Sequence, residues 1–143
     1  MVKKTDDESA ISHGRLLFFV LVYKETMTVL ELKIYDIVRN IPKGQVMTYG
    51  QVAEKAGDKH LARVVGNVMH KNPVPFWQLA RTVGYKVEEP GSEWKDFAPV
   101  PCHRVVNSNG KMGANFGMGG PEIQEKMLKA EGVNIIDGKV VSI

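Results

Sequence analysis

The sequence has a single cysteine, Cys102, in 143 residues. One thiol forms no internal disulfide and builds no thiolate zinc site. Histidine is also scarce, at His13, His60, His70 and His103, so a structural metal is not expected and no cofactor is implied. The apolar run at 16–23 is far too short to cross a bilayer, and the "KKTDDES" before it does not have the form of a secretory signal. Repeats and low-complexity tracts are missing. These absences point to one domain with at most a short appendage, in an intracellular, reducing compartment where a free thiol survives. A makeup of 43% hydrophobic and 24% charged residues suits an ordinary globular core.

Carboxylates are missing from two long stretches. None occurs in 59–87, where Lys59, Arg63, Lys71, Arg81 and Lys86 all stand, and none in 97–121, which holds Arg104 and Lys111. The acids gather at the N-terminus, in 88–96 and in the last helix. A net charge of +3 is too mild to argue for nucleic acid, but this segregation makes one surface positive, as binding a polyanion requires. Chance clustering in a mildly basic chain would give the same tally.

What is present reads as mostly α with small β elements. Residues 1–28 form a stub: a polar start, then "RLLFFVLVY", one buried strand or part of a hairpin. From Leu30 the apolar positions Leu30, Ile34, Ile37, Val38 and Ile41 follow a helical spacing that Pro42 and Gly44 end. "TYGQVAEKAG" opens with Thr48 and Gln51 at capping-box spacing and closes at Gly57. A third helix over about 59–71 has an apolar stripe, Leu61, Val64, Val65, Val68 and Met69. Its opposite stripe is Arg63, Gly66, Asn67 and His70, without an acid. Two short helices joined by a tight turn, the second with such a face, form a helix-turn-helix pattern. Many helical hairpins share that pattern. Near the C-terminus, 121–130 reads as a helix with proline in its first turn and Ile123, Met127 and Leu128 inward, ended by Gly132. "VNIIDGKVVSI" reads as a hairpin around Asp137-Gly138.

Cys102 sits in "PVPCHRVVNSNG". An isolated thiol is only a few per cent ionised at neutral pH, roughly, and a basic neighbour activates it. His103 and Arg104 follow it, and no carboxylate lies within five positions on either side. Neighbours in extended chain point opposite ways, so a turn at Pro101 or a bridging water is needed to bring His103 to the sulfur. A cysteine filling a small apolar site ahead of "VV" is the competing reading.

The segments "IPKGQVMTYGQVA", "ARVVGNVMHKNPVP", "PCHRVVNSNGKMG" and "LKAEGV", in this order over about 30–136, resemble the DNA-binding domain of the O6-alkylguanine-DNA alkyltransferases. The resemblance implies a winged helix-turn-helix-like domain over 29–143. It also implies a repair protein, monomeric and with no membrane partner, that flips O6-alkylguanine out of duplex DNA and moves the alkyl group irreversibly to its own cysteine. Cys102 would be the acceptor, His103 its base through a water, and Glu131 the group holding His103. Tyr49 would crowd the phosphate and help neutralise the departing guanine. Asn72 would tie the third helix to the active-site strand. Arg63 would take the flipped base's place in the stack, with Gly66, Asn67 and Lys71 also at the DNA. Met112, Phe116 and Gly117 would line the base pocket. The location implied is DNA-associated, nuclear or nucleoid according to the host.

Three departures from the family pattern stand out. The N-terminal part is reduced to roughly thirty residues, as in the alkyltransferase-like proteins, which resemble this domain, usually carry Trp in place of the cysteine, and bind alkylated DNA to summon excision repair. An inserted loop, about 76–99, separates Pro75 from Pro101 and contains Trp77 and Trp94. Phe116 and Gly117 stand where the family usually presents Tyr and Ser, removing polar contacts to the base. Two alternatives to the repair reading follow: a lesion-flagging protein, and a winged-helix regulator that binds DNA by sequence.

Overall fold

The computed structural model describes residues 27–114 and 116–141. The strand expected in "RLLFFVLVY" lies outside the described residues. The first helix, α1 (Val29–Arg39), starts at a capping box: Thr28 Oγ1 accepts from the Glu31 N–H (3.1 Å), and the Glu31 carboxylate accepts from the Thr28 N–H (3.0 Å). A box of this kind stabilises a helix start by about 1 kcal/mol. It buries Leu32, Ile34, Tyr35 and Val38, and the Tyr35 hydroxyl donates to the Val68 carbonyl (2.8 Å), tying α1 to the helix-turn-helix.

A short strand β1 (Met47–Thr48) leads directly into α2 (Tyr49–Lys55), capped by the expected Thr48–Gln51 box. A 3₁₀ turn, Lys59–Leu61, capped by Asp58, precedes α3 (Ala62–His70). The helix read as one piece over 59–71 is thus a tight turn plus a shorter helix, because Asp58 and the apolar Leu61 redirect the chain onto α2. Val65, Val68 and Met69 are fully buried, each contributing about 1.5–3 kcal/mol relative to exposure.

The segment 76–99 is folded rather than loose. It carries α4 (Trp77–Thr82) and a 3₁₀ turn at Ser92–Trp94. Ala80 and Phe97 are buried, and the Phe97 ring meets Tyr35 edge-on at 5.7 Å and Trp94 at 5.5 Å. Arg39 lies 5.1 Å from the Phe97 ring and donates to the Ala98 carbonyl (3.1 Å). A helix of six residues is too short to show a period in sequence, which is why it reads as loop.

β2 (Val105–Val106) pairs in parallel with β1, Met47 opposite Val105 and Thr48 opposite Val106. This crossover sets the start of α2 beside the chain that has just left Cys102. α5 (Gly120–Ala130), with Pro121 in its first turn, packs on the Cys102–Arg104 turn. The chain closes in a hairpin, β3 (Ile135–Ile136) and β4 (Lys139–Val140), turned by Asp137 (φ 52°) and Gly138 (φ 76°), the geometry of a type I′ turn. Among the described residues no helix is long and apolar enough to cross a membrane.

Candidate active site

Cys102, His103 and Arg104 form one 3₁₀ turn, its start held by the Cys102 N–H donating to the Val100 carbonyl (2.8 Å) and the Arg104 N–H to the Pro101 carbonyl (2.9 Å). A turn this tight sends successive side chains to different neighbours. The thiol goes to Asn72 and Tyr49, while His103 and Arg104 go to Glu131. All three residues are buried.

Burial pushes the Cys102 thiol up to about 11, against which a hydrogen bond from the Asn72 side chain and one at the cysteine's own backbone act to lower it. Tyr49 is pushed up to about 12, again by burial first, with Cys102 adding to it. The cationic neighbours read from the sequence therefore do not activate the sulfur by charge. Arg104 points away and is neutralised. Activation has to come from proton removal at the moment of reaction.

The group suited to that is His103, which is wholly buried. Its Nε2 lies 2.8 Å from Glu131 Oε1 at the end of α5. Glu131 also accepts from Arg104 Nε on the same oxygen (3.0 Å) and from Arg104 Nη2 on the other. Arg104 is itself locked, with Nη1 donating to the Ile41 carbonyl (2.7 Å) and the guanidinium stacked 4.9 Å over the Phe76 ring. Burial alone would raise the Glu131 pKa, but the hydrogen bonds and charges of His103 and Arg104 bring it down to about 2. Burial lowers the His103 pKa; Glu131 opposes this and the Arg104 charge adds to it. The result is a neutral imidazole with its Nε2–H given to an ionised carboxylate. Its other nitrogen, Nδ1, is then a proton acceptor, and it is buried without a partner among the described residues.

Asn72 does more than touch the sulfur. Its Nδ2 donates to the Val100 carbonyl (2.9 Å) and its Oδ1 accepts from the Val74 N–H (3.1 Å), linking the residues after α3 to the chain entering the cysteine turn. Tyr49 stands at the first turn of α2 with its hydroxyl over Gly113, where any Cβ would overlap that oxygen. A side chain at 113 would displace the Tyr49 hydroxyl from this position.

Sequence reasoning missed three supporting residues. Arg104 counted as surface charge, whereas it is buried. Phe76, the first residue of the inserted segment, packs its ring 5.4 Å from the His103 ring as well as under Arg104. Gln124 is fully buried, accepts from the Gly113 N–H (2.9 Å), and donates to the carbonyls of His103 (3.0 Å) and Val105 (2.9 Å). Its position three before Met127 and four before Leu128, on the inward face of α5, was the available signal. A cleft of about 300 Å³ lined by Pro75, Phe76, Trp77, Gln78, Leu79 and Pro99 opens where the inserted segment leaves and rejoins the body.

On α3, Arg63, Asn67 and His70 are exposed along one side. Gly66 is buried, so it is not part of that open face, because the helix turns it toward the packed side with Val65 and Met69. Lys71 is engaged by Glu31 (2.6 Å), a carboxylate brought in by the capping box of α1. Met112 is buried beneath the terminal hairpin with Val106, Leu128 and Ile135, in a cluster apart from the one that contains Cys102 and Phe116. Gly117 abuts the end of α3: a Cβ there would stand 2.8 Å from the His70 carbonyl. Gly117→Ser, which would restore the family's usual residue, is therefore expected to destabilise the fold by about 1–3 kcal/mol and lower Tm by roughly 3–12 °C. Thermal melts of the two proteins check this, and an unchanged Tm would refute the close approach.

A helix-turn-helix beside a buried thiol, with a His–Glu pair behind it, is the architecture of a DNA-binding domain that encloses a cysteine. The chain belongs to the family described as "6-O-methylguanine DNA methyltransferase, DNA binding domain", whose profile matches residues 30–133. It is 31% identical over 100 residues to the methylated-DNA–protein-cysteine methyltransferase of Cricetulus griseus, a match covering 70% of this chain and 37% of that protein. The alkyltransferase-like protein 1 of Schizosaccharomyces pombe is 34% identical over 104 residues, covering 72% of this chain and 75% of the relative. The solved structure of S. pombe Atl1 with damaged DNA containing O6-carboxymethylguanine superposes with a TM-score of 0.54 at 31% identity, covering 77% of this chain and 82% of that one. The chain thus spans little more than a third of the methyltransferase, and most of the alkyltransferase-like relative.

Proposed function

We propose that the protein binds duplex DNA containing O6-alkylguanine and transfers the alkyl group to Cys102. The observation that carries this reading is the buried thiol between Asn72 and Tyr49, backed by a neutral His103 whose buried Nδ1 has no partner among the described residues and whose Nε2–H is held by Glu131. Exposed Arg63 on α3 fills the space left by the extruded base, offsetting part of the few kcal/mol, roughly, that unstacking costs. The thiol proton passes to His103 through a water, and the thiolate attacks the saturated carbon on O6. The S–C bond forms as the C–O6 bond breaks. The departing guanine anion takes a proton from the Tyr49 hydroxyl and leaves as a neutral base, and the proton held on His103 returns through water to the Tyr49 oxygen, so that both side chains end neutral. Nothing returns the thioether to a thiol, so each molecule turns over once.

A second reading is favoured by the likeness to the alkyltransferase-like protein over most of its length and by a free-state thiol held near 11. In it the protein binds the lesion, leaves the alkyl group in place and recruits excision repair. The two readings separate on mixing the protein with an oligonucleotide carrying O6-methylguanine and measuring intact and peptide masses. Transfer predicts one methyl group, 14 Da, on the peptide containing Cys102, lost in Cys102→Ala. An unmodified protein that still prefers the lesion over guanine would sink the transfer reading and leave the flagging one.

A further inference from the structure

The inserted segment has two halves that differ in charge and in what they touch. Residues 77–87 hold no carboxylate and expose Arg81 and Lys86, whereas Glu88, Glu89, Glu93 and Asp96 follow, all exposed. The acidic half is pinned to α1 through Phe97 on Tyr35 and through the Ala98 carbonyl on Arg39. The basic half is pinned elsewhere: the Tyr85 ring would stand 2.9 Å from a Cβ at Gly119. Two residues earlier in that loop, Gly117 abuts the His70 carbonyl at the end of α3. Consecutive Cα atoms are about 3.8 Å apart, so Gly117 and Gly119 are separated by at most about 7 Å. The loop 117–119 therefore ties Tyr85, and with it the neighbouring Lys86, to the end of the exposed α3 face.

Arg81 is held in place. Its Nε donates to the Val87 carbonyl (2.8 Å) and its guanidinium stacks 4.8 Å over Trp77, yet the residue stays exposed. A guanidinium fixed this way loses little freedom on meeting a phosphate. The cation at the end of α3 itself, Lys71, is already engaged by Glu31.

Resting on the reading that this chain binds duplex DNA, we propose that residues 77–87 form an auxiliary phosphate-binding arm, with Arg81 and Lys86 contacting the DNA backbone flanking the site that α3 enters. Each such contact releases counterions and steepens the salt dependence of binding by about 0.9 in log K against log salt. The test compares the full chain with the double variant Arg81→Gln, Lys86→Gln on an unmodified labelled duplex and on the same duplex with O6-methylguanine, from low to moderate salt. Lys33→Gln, Lys126→Gln, which removes two exposed cations elsewhere, is the control. The arm variant is expected to lose about 1.8 from the slope and to bind both duplexes more weakly by a similar factor, leaving lesion preference unchanged. A slope unchanged, or changed no more than in the control, overturns the arm while leaving DNA binding intact. Failure of the unaltered protein to bind any duplex overturns the DNA reading itself and the arm with it.

Discussion

Glu131→Ala is expected to lower stability by about 3–5 kcal/mol, because it leaves a buried guanidinium without its counter-charge. Arg104 is only 6% exposed and spends two of its donors on this carboxylate, so no water-facing rotamer is at hand. The loss is to be read as a lower denaturation midpoint at unchanged m-value. Function suffers beyond stability: without an acceptor at Nε2, His103 is free to place its proton on Nδ1, the nitrogen needed as base. Alkyl transfer, where measured, is expected to slow by about 10²-fold or more. The same pair sets an acid limit. The Glu131 pKa falls from 4.5 in the unfolded chain to about 2 in the fold. Its stabilising contribution is thus full above about 4.5 and is lost as pH drops from there toward 2. Glu131→Gln, which cannot ionise, is expected to flatten stability over that window. A Glu131→Ala protein as stable as the parent would show that Arg104 finds another partner.

Gln124→Leu, nearly conserved in volume, is expected to cost about 3 kcal/mol or more, since it takes away the buried partner of the Gly113 N–H and of the His103 and Val105 carbonyls. A buried polar group left unpaired costs about 1–3 kcal/mol. The consequence is local as well as global, because Gln124 joins three segments: the cysteine turn through the His103 carbonyl, β2 through Val105, and the loop beneath Tyr49 through Gly113. Hydrogen exchange at the Gly113 amide is expected to accelerate by more than global destabilisation accounts for. Gln124→Glu, which keeps an acceptor for Gly113 but loses both donors, should protect that amide while still loosening the turn. Equal exchange in parent and Gln124→Leu would mean that the loop is held by other contacts.

The helices were legible where local chemistry specifies them. Thr48 and Gln51 announce a capping box that does not depend on the rest of the chain, and the apolar spacing from Leu30 needs only one buried side. Asp137-Gly138 dictates its own turn by tolerating positive φ. The inserted segment was illegible for the opposite reason: α4 has six residues, and what orders it is Phe97 on Tyr35 and Tyr85 on the Gly119 loop, contacts between residues far apart in sequence. Gly66 was assigned from helical spacing and Met112 from the resemblance, but the direction in which each faces depends on how α3 and the hairpin pack.

Alone, the sequence determined the order of α1, α2, α3, α5 and the closing hairpin, the acid-poor stretches, and the presence of one cysteine followed by His and Arg. Backbone propensities and charge are properties of residue type and neighbourhood, and survive without knowledge of the fold. Only the tertiary structure decided what surrounds the thiol. Sequence adjacency suggested that His103 and Arg104 lower its pKa, whereas the 3₁₀ turn directs both toward Glu131 and burial pushes the thiol up. The partners that matter, Asn72, Tyr49, Glu131 and Gln124, come from the ends or inner faces of other helices. Their effect depends on distance and desolvation, which packing alone supplies.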